Sequence, residues 1–93
     1  MAVNESMVLE FVKARLNRLP TDTTHDAYLQ ARISAAVEEL TRNGISLTDD
    51  NNDLILVADT VVWEYQSRDN PGGMPDWLRL RRRERWLRGD ART

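Results

Sequence analysis

The sequence contains no cysteine, which excludes a disulfide frame, a thiolate nucleophile and any metal site built on sulfur. His25 is the only histidine, so a zinc site resting on two or three histidines is excluded as well. No glycine-rich phosphate loop occurs: Gly72-Gly73 precedes Met74-Pro75 and lacks the lysine that a P-loop needs. There is no Gly-x-Ser-x-Gly to carry a serine nucleophile. The longest unbroken apolar run, residues 54–58, is far short of a membrane span. Glu5 and Glu10 fall where a signal peptide needs an apolar stretch, so no export signal is expected. Lysine is nearly missing: Lys13 stands alone against 12 arginines.

What remains is 93 residues, 41% hydrophobic and 30% charged, the balance of one globular domain. A chain this short buries only about two-thirds of the surface its unfolded form exposes, so its core is thin. Together with the missing chemistry, this composition predicts a small soluble intracellular domain that is not an enzyme and uses no cofactor.

Charge is unevenly placed. Residues 1–70 carry 6 basic and 12 acidic side chains, a net of −6. Residues 71–93 carry 7 arginines against Asp76, Glu84 and Asp90, a net of +4. An acidic body followed by a basic segment is the pattern of an interaction tail. The preference for arginine suits bidentate contact with carboxylate or phosphate. A GC-rich genome would also replace lysine by arginine, but it would not cluster the arginines after residue 78.

The pattern predicts an all-α fold, a small bundle of about four helices over residues 5–18, 24–43, 50–68 and 75–88. In the first, Val8, Phe11, Val12 and Leu16 recur at helical spacing and Pro20 stops the run. In the second, Thr23 and Asp26 read as a capping box, and Leu29, Ile33, Ala36, Val37 and Leu40 form the apolar stripe. Gly44 sits where a left-handed C-terminal cap belongs, with Ile45 positioned to fold back. Asp50 and Asp53 suit the first turn of the third helix. Leu54, Val57, Ala58, Val61, Val62 and Tyr65 give that helix the broadest apolar face, which makes it the expected central helix. Its β-branched residues invite a strand assignment; its length and 3.6-residue recurrence argue for helix. Asn70-Pro71-Gly72-Gly73 breaks the chain, and Pro75 opens the fourth helix. The organisation is one domain overall: an acidic helical-bundle core over 1–70, then a Gly/Pro linker with an arginine-rich helix and tail over 71–93.

Three constellations resemble chemical sites and fall short of them. Asp49, Asn51 and Asp53 copy the opening of a calcium loop, but Leu54 stands in place of the turn glycine and Thr60 in place of the bidentate glutamate. His25 beside Asp26 has no nucleophile to serve. Adjacent carboxylates such as Glu38 and Glu39 point in different directions on a helix and do not form an acid–base pair.

The informative segment is residues 77–88, WLRLRRRERWLR. On a helix, Trp77, Leu80, Glu84 and Leu87 share one face, while Leu78 and Trp86 point elsewhere. That narrow seam inside an arginine coat is expected to dock partly on the body and to present the rest to a partner. Trp77, Arg79, Arg82, Arg83, Arg85 and Trp86 are the candidate contact residues, because tryptophan and arginine are enriched at interface hot spots. The same arginines could serve phosphate, and the segment could also be an ordinary amphipathic helix with a solvated face. A pI of 5.3 argues against the whole domain as a free DNA binder.

Three stretches carry a family resemblance: ARISAAVEELTRNGISLTDD at 31–50, DLILVADTVVWEYQSRD at 53–69 and MPDWLRLRRRERWL at 74–87. An R-I-x-A-A helix leads to a glycine-turned loop and then to an apolar helix ending in Trp63, Tyr65 and Arg68-Asp69. Met74-Pro75 opens the last helix. The chain resembles the head–tail connector proteins of long-tailed phages, the small adaptors below the portal. That resemblance implies a structural virion protein, a helical bundle without catalytic activity, made in the host cytoplasm and located at the head–tail junction. It implies a ring of about a dozen copies closed through heterologous interfaces. It also implies contact with the portal protein on one side and a tail-side completion or tail protein on the other. Double-stranded DNA would pass through the lumen without sequence recognition, and no membrane would be involved. Within this expectation, residues 77, 79, 82, 83, 85 and 86 contact the portal or a neighbouring subunit. An acidic body suits a channel that lets DNA slide, because repulsion prevents phosphate capture. The alternative expectation is a small helical nucleic-acid-binding or regulatory protein that uses the arginine-rich C-terminal helix.

Overall fold

Four helices follow one another in a computed structural model of the chain, which describes residues 3–19, 21–67 and 73–88. They are α1 (Glu5–Arg15), α2 (Asp26–Arg42), α3 (Asn51–Ser67) and α4 (Asp76–Arg88). Among the described residues there is no strand, so the all-α bundle expected from the sequence is the fold. The stop expected at Pro20, the break over 70–72, the Arg68-Asp69 pair and the tail after Arg88 lie outside the described residues.

α1 begins at Asn4, whose side chain accepts from the Met7 N–H at 3.2 Å. The helix stops at Arg15, three residues before the expected end, because Asn17 takes φ +60°. Asparagine tolerates that left-handed conformation. The Asn17 N–H then reaches the Ala14 carbonyl and the Arg18 N–H reaches that of Lys13, closing the helix with paired bonds. α2 starts at Asp26, two residues later than expected, and the capping box of Thr23 with Asp26 does not form. His25 occupies the cap and makes no side-chain cap bond. Asp22 instead accepts from the Thr24 N–H at 3.1 Å. The Thr24 hydroxyl, the Thr24 N–H and the charges of Arg18 and Lys13 together hold the Asp22 carboxyl below its usual pKa.

The end of α2 follows the sequence pattern. Gly44 adopts φ +94°, which an L side chain rarely takes, and Ile45 folds back, buried, with its N–H on the Leu40 carbonyl. At the start of α3, Asp53 reaches back over the first turn and accepts from both the N–H and the hydroxyl of Thr48, at 2.8 and 2.9 Å.

α3 is the central helix, packed by α1, α2 and α4, while α1 and α2 also pack on each other. Leu54, Leu56, Val57, Ala58, Val61 and Val62 are buried along it, against Val8 and Val12 of α1 and Leu29, Ile33, Ala36 and Leu40 of α2. Each large side chain buried this way contributes about 1.5–3 kcal/mol. A valine in a helix costs at most ~0.7 kcal/mol of propensity relative to alanine. Burial wins, so the β-branched run is helical. Thr60 enters this core because its hydroxyl donates to the Leu56 carbonyl at 3.0 Å. Polar ties hold the rim: Lys13 meets Asp26 at 3.0 Å, Arg32 meets Glu64 at 2.8 Å, and Arg18 donates to the Tyr65 hydroxyl at 3.0 Å. No described helix is long and apolar enough to cross a membrane.

Candidate interaction face on the C-terminal helix

α4 packs mainly on α3, and its inward face is mostly charged. Leu78 is its one fully buried apolar side chain. One and two turns further on, the inward positions are Arg82 and Arg85. Arg85 is buried and binds the buried carboxylate of Asp53 with both Nε (2.8 Å) and Nη2 (3.2 Å). The same guanidinium donates to the Ser46 carbonyl, tying α4 to the loop before α3. A fork of this kind matches a carboxylate in a way lysine could not. Burial would raise the Asp53 pKa; the bonds from Arg85 and from Thr48 outweigh it and hold the carboxyl below its ordinary value.

A second buried carboxylate, Asp59, lies further along α3. Arg81 of α4 donates to its Oδ2 at 2.7 Å and Arg15 of α1 donates to its Oδ1. One acid therefore joins three helices. Arg82 is largely buried, with Nη1 3.5 Å from the Met74 sulfur and Nη2 3.8 Å from Glu39. Arg79 pairs with Asp76 within its own helix.

The face expected to dock partly, Trp77 with Leu80 and Leu87, instead points outward: these side chains are 47%, 59% and 62% exposed. The reason lies on the opposing helix. α3 offers two carboxylates to α4, so arginines turn inward and leucines are left outside. Of the six candidate contact residues, Trp77, Arg79, Arg83 and Trp86 are on the accessible surface. Arg85 is not; it anchors the helix. Arg82 is mostly covered. Trp86 is half-exposed, with its indole edge laid over Gly44, where a side-chain carbon would stand 2.9 Å from Nε1. The accessible members do not form one patch: Trp77 lies on one flank of α4, and Arg79, Arg83 and Trp86 on the other.

No protein-family model, curated protein or solved structure matches the chain.

Sequence reasoning missed Asp59 entirely and read Asp53 as a helix-start acid. The available signal was two carboxylates, six positions apart, inside the most apolar helix of a chain with an arginine-rich helix elsewhere. Both oxygens of Asp53 are engaged by its own chain, Oδ1 by Arg85 and Oδ2 by Arg85 and Thr48. Among the described residues no cluster of histidine, aspartate and glutamate could hold a metal ion. His25 is exposed at the head of α2. α4 is thus a helix tied to the body through Arg81 and Arg85 that displays tryptophan, leucine and arginine to solvent.

Proposed function

We propose that the chain is a structural virion protein, a head–tail connector or adaptor that joins a ring of about a dozen copies below the portal. The observation that carries this reading is the inversion of α4. Its charged side is locked inward by Asp53 and Asp59, while Trp77, Leu80, Trp86 and Leu87 face solvent. A helix that exposes four large apolar side chains beside unpaired arginines is a prepared protein-binding surface. Prior anchoring matters here, because a helix already fixed on its body loses little further freedom on binding. Portal protein, neighbouring copies and a tail-side protein are the partners this reading assigns, with duplex DNA passing through the lumen.

The pairing pattern supports a protein partner over phosphate. Arg79, Arg81, Arg82 and Arg85 each face a carboxylate of the same chain. The test is electron microscopy of lysates from a phage carrying a stop codon in this gene. DNA-filled or leaking heads without tails are expected. Normal infectious particles would remove the connector assignment.

A further inference from the structure

The candidate contact residues 79, 83 and 86 occupy one flank of α4; the other flank carries a second pattern that the sequence reading did not single out. Trp77, Arg81, Glu84 and Arg88 recur at intervals of four, three and four, which places them in one row along the helix. The row borders a groove of about 580 Å³ between α3 and α4, whose α3 side includes Asn52 and the partly exposed Ile55. Trp77 begins the row one turn before Arg81, whose guanidinium lies 5.6 Å over its ring.

At that end the charge is unbalanced. Arg15 and Arg81 share the single carboxylate of Asp59, one on each oxygen. Asp59 is buried, while the two arginine side chains are 48% and 50% exposed. Two guanidiniums are thus fixed in place by one acid, with a surplus positive charge and spare N–H donors facing water. At the other end Arg88 is exposed and has no ion-pair partner among the described residues. Glu84 stands between them.

We infer that this groove docks a helical segment of a partner protein carrying two carboxylates seven residues apart and a basic residue between them. Arg81 and Arg88 are seven residues apart, about 10.5 Å along the axis, the same spacing as the partner's acids. The basic residue meets Glu84, and aliphatic side chains between these positions rest on Ile55 and Trp77. The alternation of sign is what selects protein over nucleic acid. A phosphate backbone presents negative charge without interruption and would meet Glu84 in the middle of the site. Because Asp59 and Trp77 already hold Arg81, little side-chain entropy is lost when the acid binds.

The inference rests on the reading of α4 as an interaction helix, but not on the particle it belongs to. The test uses the purified full chain and a fluorescein-labelled synthetic helix with glutamates seven residues apart and a lysine midway. A scrambled peptide of equal composition and a short DNA duplex are the comparisons. Fluorescence anisotropy should show saturable binding of the matched peptide, weakened roughly five- to tenfold by scrambling. Arg88→Glu should weaken it to a similar degree without touching the fold, and Arg81→Gln likewise, since Arg15 still satisfies Asp59. Arg79→Gln and Arg83→Gln, on the other flank, should leave it unchanged. No binding, equal binding of the scrambled peptide, or loss only with the second pair of variants would overturn the proposal. Tighter binding of the duplex through Arg81 and Arg88 would overturn it in favour of nucleic acid. Failure here leaves the lysate test standing, and normal particles there leave this result standing.

Discussion

Asp53 and Asp59 decide which way the arginines of α4 turn. Each is a charge inside an apolar helix, and each is tolerable only because a guanidinium reaches it. Such a pair contributes little net stability compared with a well-packed apolar pair, yet breaking it is costly, because a buried charge is stranded. Asp53→Ala should therefore cost about 3–5 kcal/mol by removing the carboxylate that balances the buried charge of Arg85. The double change Asp53→Leu with Arg85→Met should recover most of that loss. Urea unfolding of the two variants checks both statements. The pH dependence has a definite sign. The folded pKa of Asp53 lies below its ordinary 3.8, so the folded state binds the proton less readily than the unfolded chain. This contribution is fully present above the unfolded pKa and disappears as pH falls through the folded value, so stability should decline below about pH 5. Asp53→Asn should flatten that decline.

At the scale of elements, all four helices were legible, and the inward faces of three of them were too, because their apolar stripes face an apolar centre. Leu29, Ile33, Ala36 and Leu40 are read from spacing and are all buried. Gly44 was legible for a different reason: only a residue without Cβ takes φ +94° freely. The orientation of α4 was not legible, because the rule that apolar side chains turn inward assumes an apolar receiving face. Here the receiving face holds two carboxylates, and Leu78 with Arg82 and Arg85 is the true inward seam. A pair of truncations separates the two orientations. Leu78→Ala should cost about 2–4 kcal/mol and raise amide exchange through α4 while α1–α3 keep their protection. Leu80→Ala and Leu87→Ala should change stability by no more than about 0.5 kcal/mol, as exposed positions do. Equal losses at residues 78 and 80 would return α4 to the orientation expected from its pattern. The same residues explain how much of the candidate site was readable. The tryptophans and the arginine density single out α4 as the candidate interaction helix from composition alone. The division of its arginines between anchors and contacts depends on Asp53 and Asp59, which lie more than twenty residues away in sequence.

For the whole molecule, the two opposing charge blocks are partly spent on each other. The net of −6 over residues 1–70 and +4 over 71–93 suggests a free basic segment. In the fold, Asp53, Asp59 and Glu39 of the acidic block take Arg85, Arg81 and Arg82 of the basic one. Arg79 is taken within α4 by Asp76. This leaves Arg83 and Arg88 on α4, and Arg42 at the end of α2, exposed and without ion-pair partners among the described residues. Duplex binding scales with the number of phosphates neutralised and falls steeply with salt. Scattered arginines above a net-acidic body release few counterions and are opposed by the body's own field within a Debye length of about 8 Å at physiological ionic strength. The full chain should therefore give no shift of a short duplex at micromolar protein and physiological salt, and only a weak one at low salt. The gel assay has a built-in control in Asp59→Asn, which frees positive charge on Arg15 and Arg81 and should increase any residual DNA binding. A strong, salt-sensitive shift by the unaltered protein would mean that the arginines leave their carboxylates for phosphate. It would move the assignment from an assembly protein to a nucleic-acid-binding one.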